Sequence, residues 1–210
     1  MVVPSPPFPP GGPAMHSRPE PEPLSKEALR SAALDARKAY VRTLGDGERF
    51  ALEQRLAGHL TSLCANAAVV GGYSPLGSEI SPQPAIEEAR AIGRIVGYPA
   101  FDDPAKPFKF RAGDPLESGP FGIMQPAHRA PVVEPDLILV PLIAIDGRGT
   151  RLGRGKGHYD RALGRLKKSP ALLIGIGWPL QMLADEIPAD EWDVPLDGFA
   201  TPEGLRMFTR

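Results

Sequence analysis

DLILVPLIAIDGRGTRLGRGKGHYDRALGRLKK, residues Asp136 to Lys168, is the stretch on which the fold turns. Leu137-Ile138-Leu139-Val140 is a short continuous apolar run, the pattern of a strand buried on both faces. Pro141 lacks a backbone donor, so regular pairing is expected to stop near it. A glycine-dense loop follows, with Gly147, Gly149, Gly153, Gly155 and Gly157. Beyond it Tyr159, Ala162, Leu163 and Leu166 recur at i, i+3, i+4 and i+7, one apolar stripe of a helix. The stretch reads strand, flexible cationic loop, helix.

That order suits an anionic ligand. Glycines let backbone N–H groups approach phosphate oxygens with no Cβ in the way. A helix N-terminus adds about half a positive charge and several unpaired donors. Arg151, Arg154 and Lys156 bring full charges to the same loop, the arginines able to grip phosphate bidentately. Two common phosphate motifs are excluded. A Walker A loop needs glycine where Thr150 stands and Ser or Thr where Gly157 stands. The dinucleotide fingerprint fails because its third glycine falls on His158.

Working outward, 210 residues suffice for one well-buried domain or two small ones, and a net charge of −1 gives no global pull toward nucleic acid or membrane. No apolar run reaches membrane-spanning length. The single cysteine, Cys64, excludes an intrachain disulfide and is expected to be a small buried hydrophobe. A reducing cytoplasm is the simplest home. Nine of the 26 prolines fall in residues 1–24, so a disordered extension is expected there, followed by one α/β catalytic domain over 25–210.

Ser25 is a plausible N-cap for a helix over 26–41. Lys26, Arg30 and Arg37 share one face of it within about 40° of arc, which by itself reads as a solvated basic face. A second helix over 48–64 is expected to pack through Phe50, Leu52, Leu56, Leu60 and Leu63. Buried strands are expected over 67–73, 94–99 and 171–176, with a helix at 82–92. Phe108-Lys109-Phe110-Arg111 alternates as an antiparallel edge strand does. Alternating strands and helices argue for a mostly parallel sheet with helices on both faces. The loop carrying Ser74 and Glu79 should then emerge at the strands' C-terminal edge, where open α/β sheets bind ligands. Glu79 also suits the start of the following helix, whose dipole favours a carboxylate.

Arg151-Leu152-Gly153-Arg154-Gly155-Lys156-Gly157-His158-Tyr159-Asp160 resembles the signature of the 5-formyltetrahydrofolate cyclo-ligase family, also called 5,10-methenyltetrahydrofolate synthetases. That loop reads R-L-G-R/Y-G-K/G-G-Y-Y-D, and His158 is the one clear departure from it. Lys26 and Arg30 match the family's K-x-x-x-R on an N-terminal helix, and Glu79-Ile80 matches a Glu-Ile that contacts folate. Phe121-Gly122-Ile123-Met124-Gln125-Pro126 is similar to a segment ending in Q-P. Asp190-Glu191-Trp192-Asp193-Val194-Pro195-Leu196-Asp197 resembles E-x-H-D-x-P-x-D, with Trp192 in place of His. The resemblance covers roughly residues 25–205.

The resemblance implies a Rossmann-like layered fold related to sugar-phosphate isomerases and coenzyme A transferases. It implies ATP- and Mg²⁺-dependent closure of 5-formyltetrahydrofolate to 5,10-methenyltetrahydrofolate, through phosphorylation of the formyl oxygen. Arg154 and Lys156 are then the catalytic cations. Lys26, Arg30, Arg151, Gly153, Arg154, Gly155, Lys156, Gly157, His158 and Tyr159 contact ATP. Arg30, Ser74, Glu79, Phe121, Arg154 and His158 contact the folate, and Asp160 and Asp193 hold Mg²⁺. Asp160 equally fits a helix's first turn, and Asp193 a turn. Partners are expected to be small molecules, with neither nucleic acid nor membrane involved, and the protein is expected to be monomeric. His158, flat like the aromatic it replaces, adds the ability to gain a proton near pH 6.5. Two alternatives stay open: a non-catalytic nucleotide- or folate-binding module, and a transferase or isomerase of phosphorylated substrates on the same fold.

Overall fold

The computed structural model describes residues 25–166 and 171–209. The Pro-rich stretch 1–24 and the Leu166 side chain lie outside what it describes. Helices α1 (Lys26–Thr43) and α2 (Asp46–Asn66) lead into strand β1 (Val69–Gly71), and α3 (Gln83–Ala91) leads into β2 (Ile95–Ala100). Short strands β3 (Lys109–Ala112), β4 (Glu117–Ser118), β5 (Met124–Gln125) and β6 (Val132–Val133) follow. The central stretch supplies β7 (Leu137–Pro141), the hairpin of β8 (Ala144–Ile145) and β9 (Arg151–Leu152), and helix α4 (His158–Leu166). Strands β10 (Leu172–Ile176), β11 (Gly198–Thr201) and β12 (Gly204–Met207) come last.

Eight strands form one sheet in the order β12-β11-β10-β7-β1-β2-β3-β6. The middle five are parallel, and the outer pairings are antiparallel. From β1 the chain moves through α3 to β2 on one side. From β7 it moves through α4 to β10 on the other. The order therefore reverses between β1 and β7, and the loops leaving their C-terminal ends part there to open a crevice.

The two faces of β7 explain its unbroken apolar sequence. Leu137 and Leu139 pack with Leu56 and Leu60 of α2 and Ile86 of α3. Ile138 and Val140 point the other way, into a cluster holding Ala162 and Leu163 of α4. Each of the four is 0–2% exposed, and burying each contributes about 1.5–3 kcal/mol. Asp136, just before the strand, accepts from the amides of Ala68 and Val69 at 2.9 Å each, tying β7 to the start of β1. Cys64 is buried as expected, and burial pushes its thiol up to about 11.

Two expectations are corrected. Phe50 does not pack: it is 59% exposed. At 100° per residue it lies at least roughly 80° of arc from Leu52, Leu56, Leu60 and Leu63, off the stripe they form. Strand β3 is not an edge, because β6 pairs beyond it, Phe110 against Val133. Its alternation persists because Arg111, buried on the polar side, bonds Ala130 O and Asp102 instead of water. No described helix is long and apolar enough to cross a membrane.

Candidate active site

The glycine-dense loop is two structures, not one. Residues 144–152 form a tight hairpin around the carboxylate of Asp146, which is 1% exposed. Asp146 accepts from the amides of Thr150 (2.9 Å), Arg148 (3.0 Å) and Ile187 (3.0 Å), and from the Arg148 guanidinium. Burial alone pushes this carboxyl up, but those donors outweigh it and hold the group below the usual carboxylate range. Residues 153–157 are the open part. Gly155 (φ 79°) and Gly157 (φ 63°) take left-handed conformations that a side chain would strain. The amides of Arg154, Gly155, Lys156 and Gly157 donate to no acceptor among the described residues. They lie just ahead of the α4 N-terminus, a cradle of free donors.

Around this cradle the expected cations other than Lys156 are already engaged. Arg154 donates to Glu79 at 3.0 Å, and Arg30 donates to the carbonyl of Gly153 at 2.7 Å. Lys26 reaches Asp193 at 2.7 Å and also pairs with Asp190. Burial works against the Lys26 charge, but the two carboxylates outweigh it and raise its pKa. Arg151 is paired with Asp160 and lies over the Tyr159 ring. Lys156 lines the cavity and forms no ion pair among the described residues. Helix α3 begins only at Gln83, so Glu79 lies outside its first turn; the Arg154 pair and the Leu76 amide hold it instead. Asp160 does sit in the first turn of α4, and Asp193 accepts from the Asp190 amide in a turn.

The opposite wall is aromatic. Phe121 lies tilted over His158 with ring centroids 4.6 Å apart, and Phe101 meets His158 edge-on at 5.2 Å. Phe108 joins Phe101 to Tyr159. Phe121 takes a positive φ of 62°, unusual for a bulky residue, and stays half exposed. Ser74, in the loop after β1, donates to Met124 O at 3.4 Å and so touches the segment that carries Phe121. Every residue expected at the site lines one cavity of about 690 Å³. The proton expected near pH 6.5 on His158 is corrected: burial first, then Arg161 and Lys156, lower its pKa.

Residue-by-residue reading missed several neighbours. Arg37, on the face read as solvated, is 1% exposed and donates to Ser78 Oγ and Leu142 O, bracing the two loops that flank the crevice. Its spacing from Lys26 and Arg30 was the available signal. Asp190 opens the terminal segment that resembles the family's, but its pairing with Lys26 is set by the fold, and Phe101 gave no signal at all.

A model of the 5-formyltetrahydrofolate cyclo-ligase family matches residues 23–202. The chain is 33% identical over 192 residues to a 5-formyltetrahydrofolate cyclo-ligase of Mycolicibacterium smegmatis, spanning 86% of this chain and 95% of that one. Against the Haemophilus influenzae cyclo-ligase, identity is 28% over 154 residues, 69% of this chain and 82% of the relative. The solved 5,10-methenyltetrahydrofolate synthetase of Aquifex aeolicus superposes with a TM-score of 0.73 at 30% identity, covering 88% and 93% of the two chains. That of Mycoplasma pneumoniae gives 0.67 at 25% identity, covering 85% and 99%. With agreement of this length in both sequence and fold, the chain belongs to the 5-formyltetrahydrofolate cyclo-ligase family of enzymes.

Proposed function

We propose that the protein closes 5-formyltetrahydrofolate to 5,10-methenyltetrahydrofolate while converting ATP to ADP and phosphate. One observation carries this: a single cavity joins a loop of free amides bearing Lys156 to the aromatic wall of Phe121, His158 and Phe101. The loop suits a polyphosphate, and the wall suits a flat heterocycle.

The formyl oxygen of an amide is a poor leaving group, so N10 cannot displace it directly. Transfer of the γ-phosphoryl group to that oxygen breaks the bond to the β–γ bridging oxygen and releases ADP. N10 then attacks the formyl carbon, the carbon–oxygen bond breaks, phosphate leaves, and the N10 proton goes to solvent. Phosphoryl transfer asks mainly for positioning and charge neutralisation. Lys156 and the 154–157 amides take the phosphate oxygens. Arg154, a loop residue held by Glu79 in the same cavity, stabilises charge on the transferring group. Arg30 braces the loop through Gly153 O, and Lys26 extends the cationic wall.

Mg²⁺ supplies further neutralisation of the phosphate oxygens when bound. The residues present fit it. Asp160, Asp190 and Asp193 line the cavity, while no described group of three His, Cys, Asp or Glu forms an all-protein cage. Mg²⁺ takes one or two carboxylates and completes its shell with phosphates and water. Asp193 and Asp160 would hold it, each first exchanging its present cation, Lys26 or Arg151. Such chemistry on small soluble substrates accords with a cytoplasmic monomer.

Incubation with ATP, Mg²⁺ and 5-formyltetrahydrofolate, followed by methenyl absorbance, tests the proposal. Product should accumulate only when all three are present. Binding of both ligands without product would favour a non-catalytic module. Turnover of a phosphorylated sugar or acyl donor instead would favour the transferase or isomerase.

A further inference from the structure

We propose that Arg161 fixes the tautomer of His158, so that its Nε2–H acts as a directed hydrogen-bond donor to an oxygen of the bound substrates. The inference deepens the function proposed above and rests on it for the identity of those substrates.

The chemistry starts from the one contact that His158 makes through nitrogen among the described residues. Arg161, one turn further along α4, places its Nη2 3.0 Å from His158 Nδ1. A guanidinium can only donate, so Nδ1 must present its lone pair. The ring proton then sits on Nε2, since a neutral imidazole carries one N–H. Arg161 is itself held in place. Its amide donates to Gly157 O at 3.1 Å, and its guanidinium lies against Gly157, 3.0 Å from where a Cβ would stand.

The second observation is independent of the first. His158 Nε2 is buried and has no hydrogen-bond partner among the described residues. A buried donor left unpaired costs free energy, so an orphan of this kind calls for an explanation. Here the ring lines the substrate cavity between Phe101 and Phe121, one residue after the loop of free amides. An acceptor arriving with the ligand satisfies it. Two sources offer that acceptor, the formyl carbonyl of the folate and a phosphate oxygen of ATP, and both are oxygens. The chain supplies Arg161 to aim this donor.

Nitrogen-15 NMR of histidine-labelled full-length protein reads the tautomer directly, without turnover. The chain has four histidines, and the His158 signals are those that vanish in His158→Gln. In the free protein Nε2 should resonate as the protonated nitrogen and Nδ1 as the bare one. Arg161→Leu should mix the tautomers while its melting temperature stays at the wild-type value. Addition of 5-formyltetrahydrofolate alone, and of ATP alone, should show which source shifts the Nε2–H signal. In turnover, His158→Phe should lower kcat/KM by about tenfold, the worth of one neutral hydrogen bond. His158→Gln and His158→Tyr, which keep a donor, should recover most of it. A protonated Nδ1 in the free protein, silence of Nε2–H toward both ligands, or His158→Phe turning over like wild type would each overturn the proposal. Failure of the cyclo-ligase reading shows differently: wild-type protein would bind ligand at Nε2–H yet form no methenyl product.

Discussion

Two groups of carboxylates sit within this fold, and they differ in where most of their partners come from. Asp146 and Asp136 are gripped mainly by backbone amides, three for Asp146 beside the Arg148 guanidinium and two for Asp136. Glu79, Asp160, Asp190 and Asp193 are each met by a side-chain cation, Arg154, Arg151 or Lys26, with one amide added at Glu79 and one at Asp193. An amide belongs to the framework and cannot leave without unfolding it. A lysine or arginine on a flexible stem can be drawn away by a phosphate. The first group therefore builds the crevice, and the second keeps its cations in readiness around it.

The sharpest way to break this contrast is Asp146→Ala. Three amides, two of them in the hairpin ahead of the loop, lose their acceptor in a buried site, and stability should fall by about 4 kcal/mol. Urea unfolding checks it; a wild-type midpoint would mean that the hairpin holds itself together without Asp146.

Lys156→Ala should do the reverse. It removes an exposed charge and should leave the melting temperature unchanged while lowering kcat by about a hundredfold, roughly 3 kcal/mol of transition-state stabilisation. Near-normal turnover in the purified variant would remove Lys156 from the chemistry.

Asp160→Asn separates the two roles still combined in that residue. As a Mg²⁺ holder its loss should raise the Mg²⁺ needed for half-maximal rate by roughly tenfold. An unchanged Mg²⁺ titration with a lowered melting temperature would make Asp160 a partner of Arg151 and of the helix dipole alone.

The smallest effect is expected at Asp136, an exposed framework carboxylate. Burial pushes its carboxyl up, but the Ala68 and Val69 amides outweigh this and depress it. A depressed carboxyl stabilises fully above the unfolded pKa and loses that contribution as pH falls through the folded value. Asp136→Asn should thus cost at most about 1 kcal/mol at pH 7 in this solvent-screened position, and progressively less as the pH falls through the depressed folded value. Parallel stability curves for the two proteins from pH 7 down to pH 3 would show that the amide bonds contribute nothing.

Much of the architecture was legible in the residues themselves. The run 137–140 had to be a doubly buried strand, because nothing in it tolerates water on either face. The stripe of Tyr159, Ala162, Leu163 and Leu166 had to be a helix, which the fold then packs on that strand, and Ser25 caps α1 as its side chain predicts. Lys26, Arg30, Glu79 and the 151–160 loop were legible too, because their types and spacings resemble a family signature, and the fold does bring them to one cavity. These features are local, or repeat at a period that a single chain displays.

What stayed hidden depends on which segments meet. The split of the glycine loop into a fixed hairpin and an open cradle depends on Asp146 finding the amide of Ile187, 41 residues away. The turn of Arg37 from solvent to core depends on Ser78 and Leu142 closing over it. Likewise, no spacing shows that Phe101 and Phe121 would enclose His158 and leave its Nε2 without a partner among the described residues. The sequence by itself determined the strand, the helix and the charged loop between them, since backbone geometry and water dictate those directly. Only the tertiary structure decided which donors were spent on the framework and which were left facing the cavity, because a hydrogen bond is settled by the partner within reach.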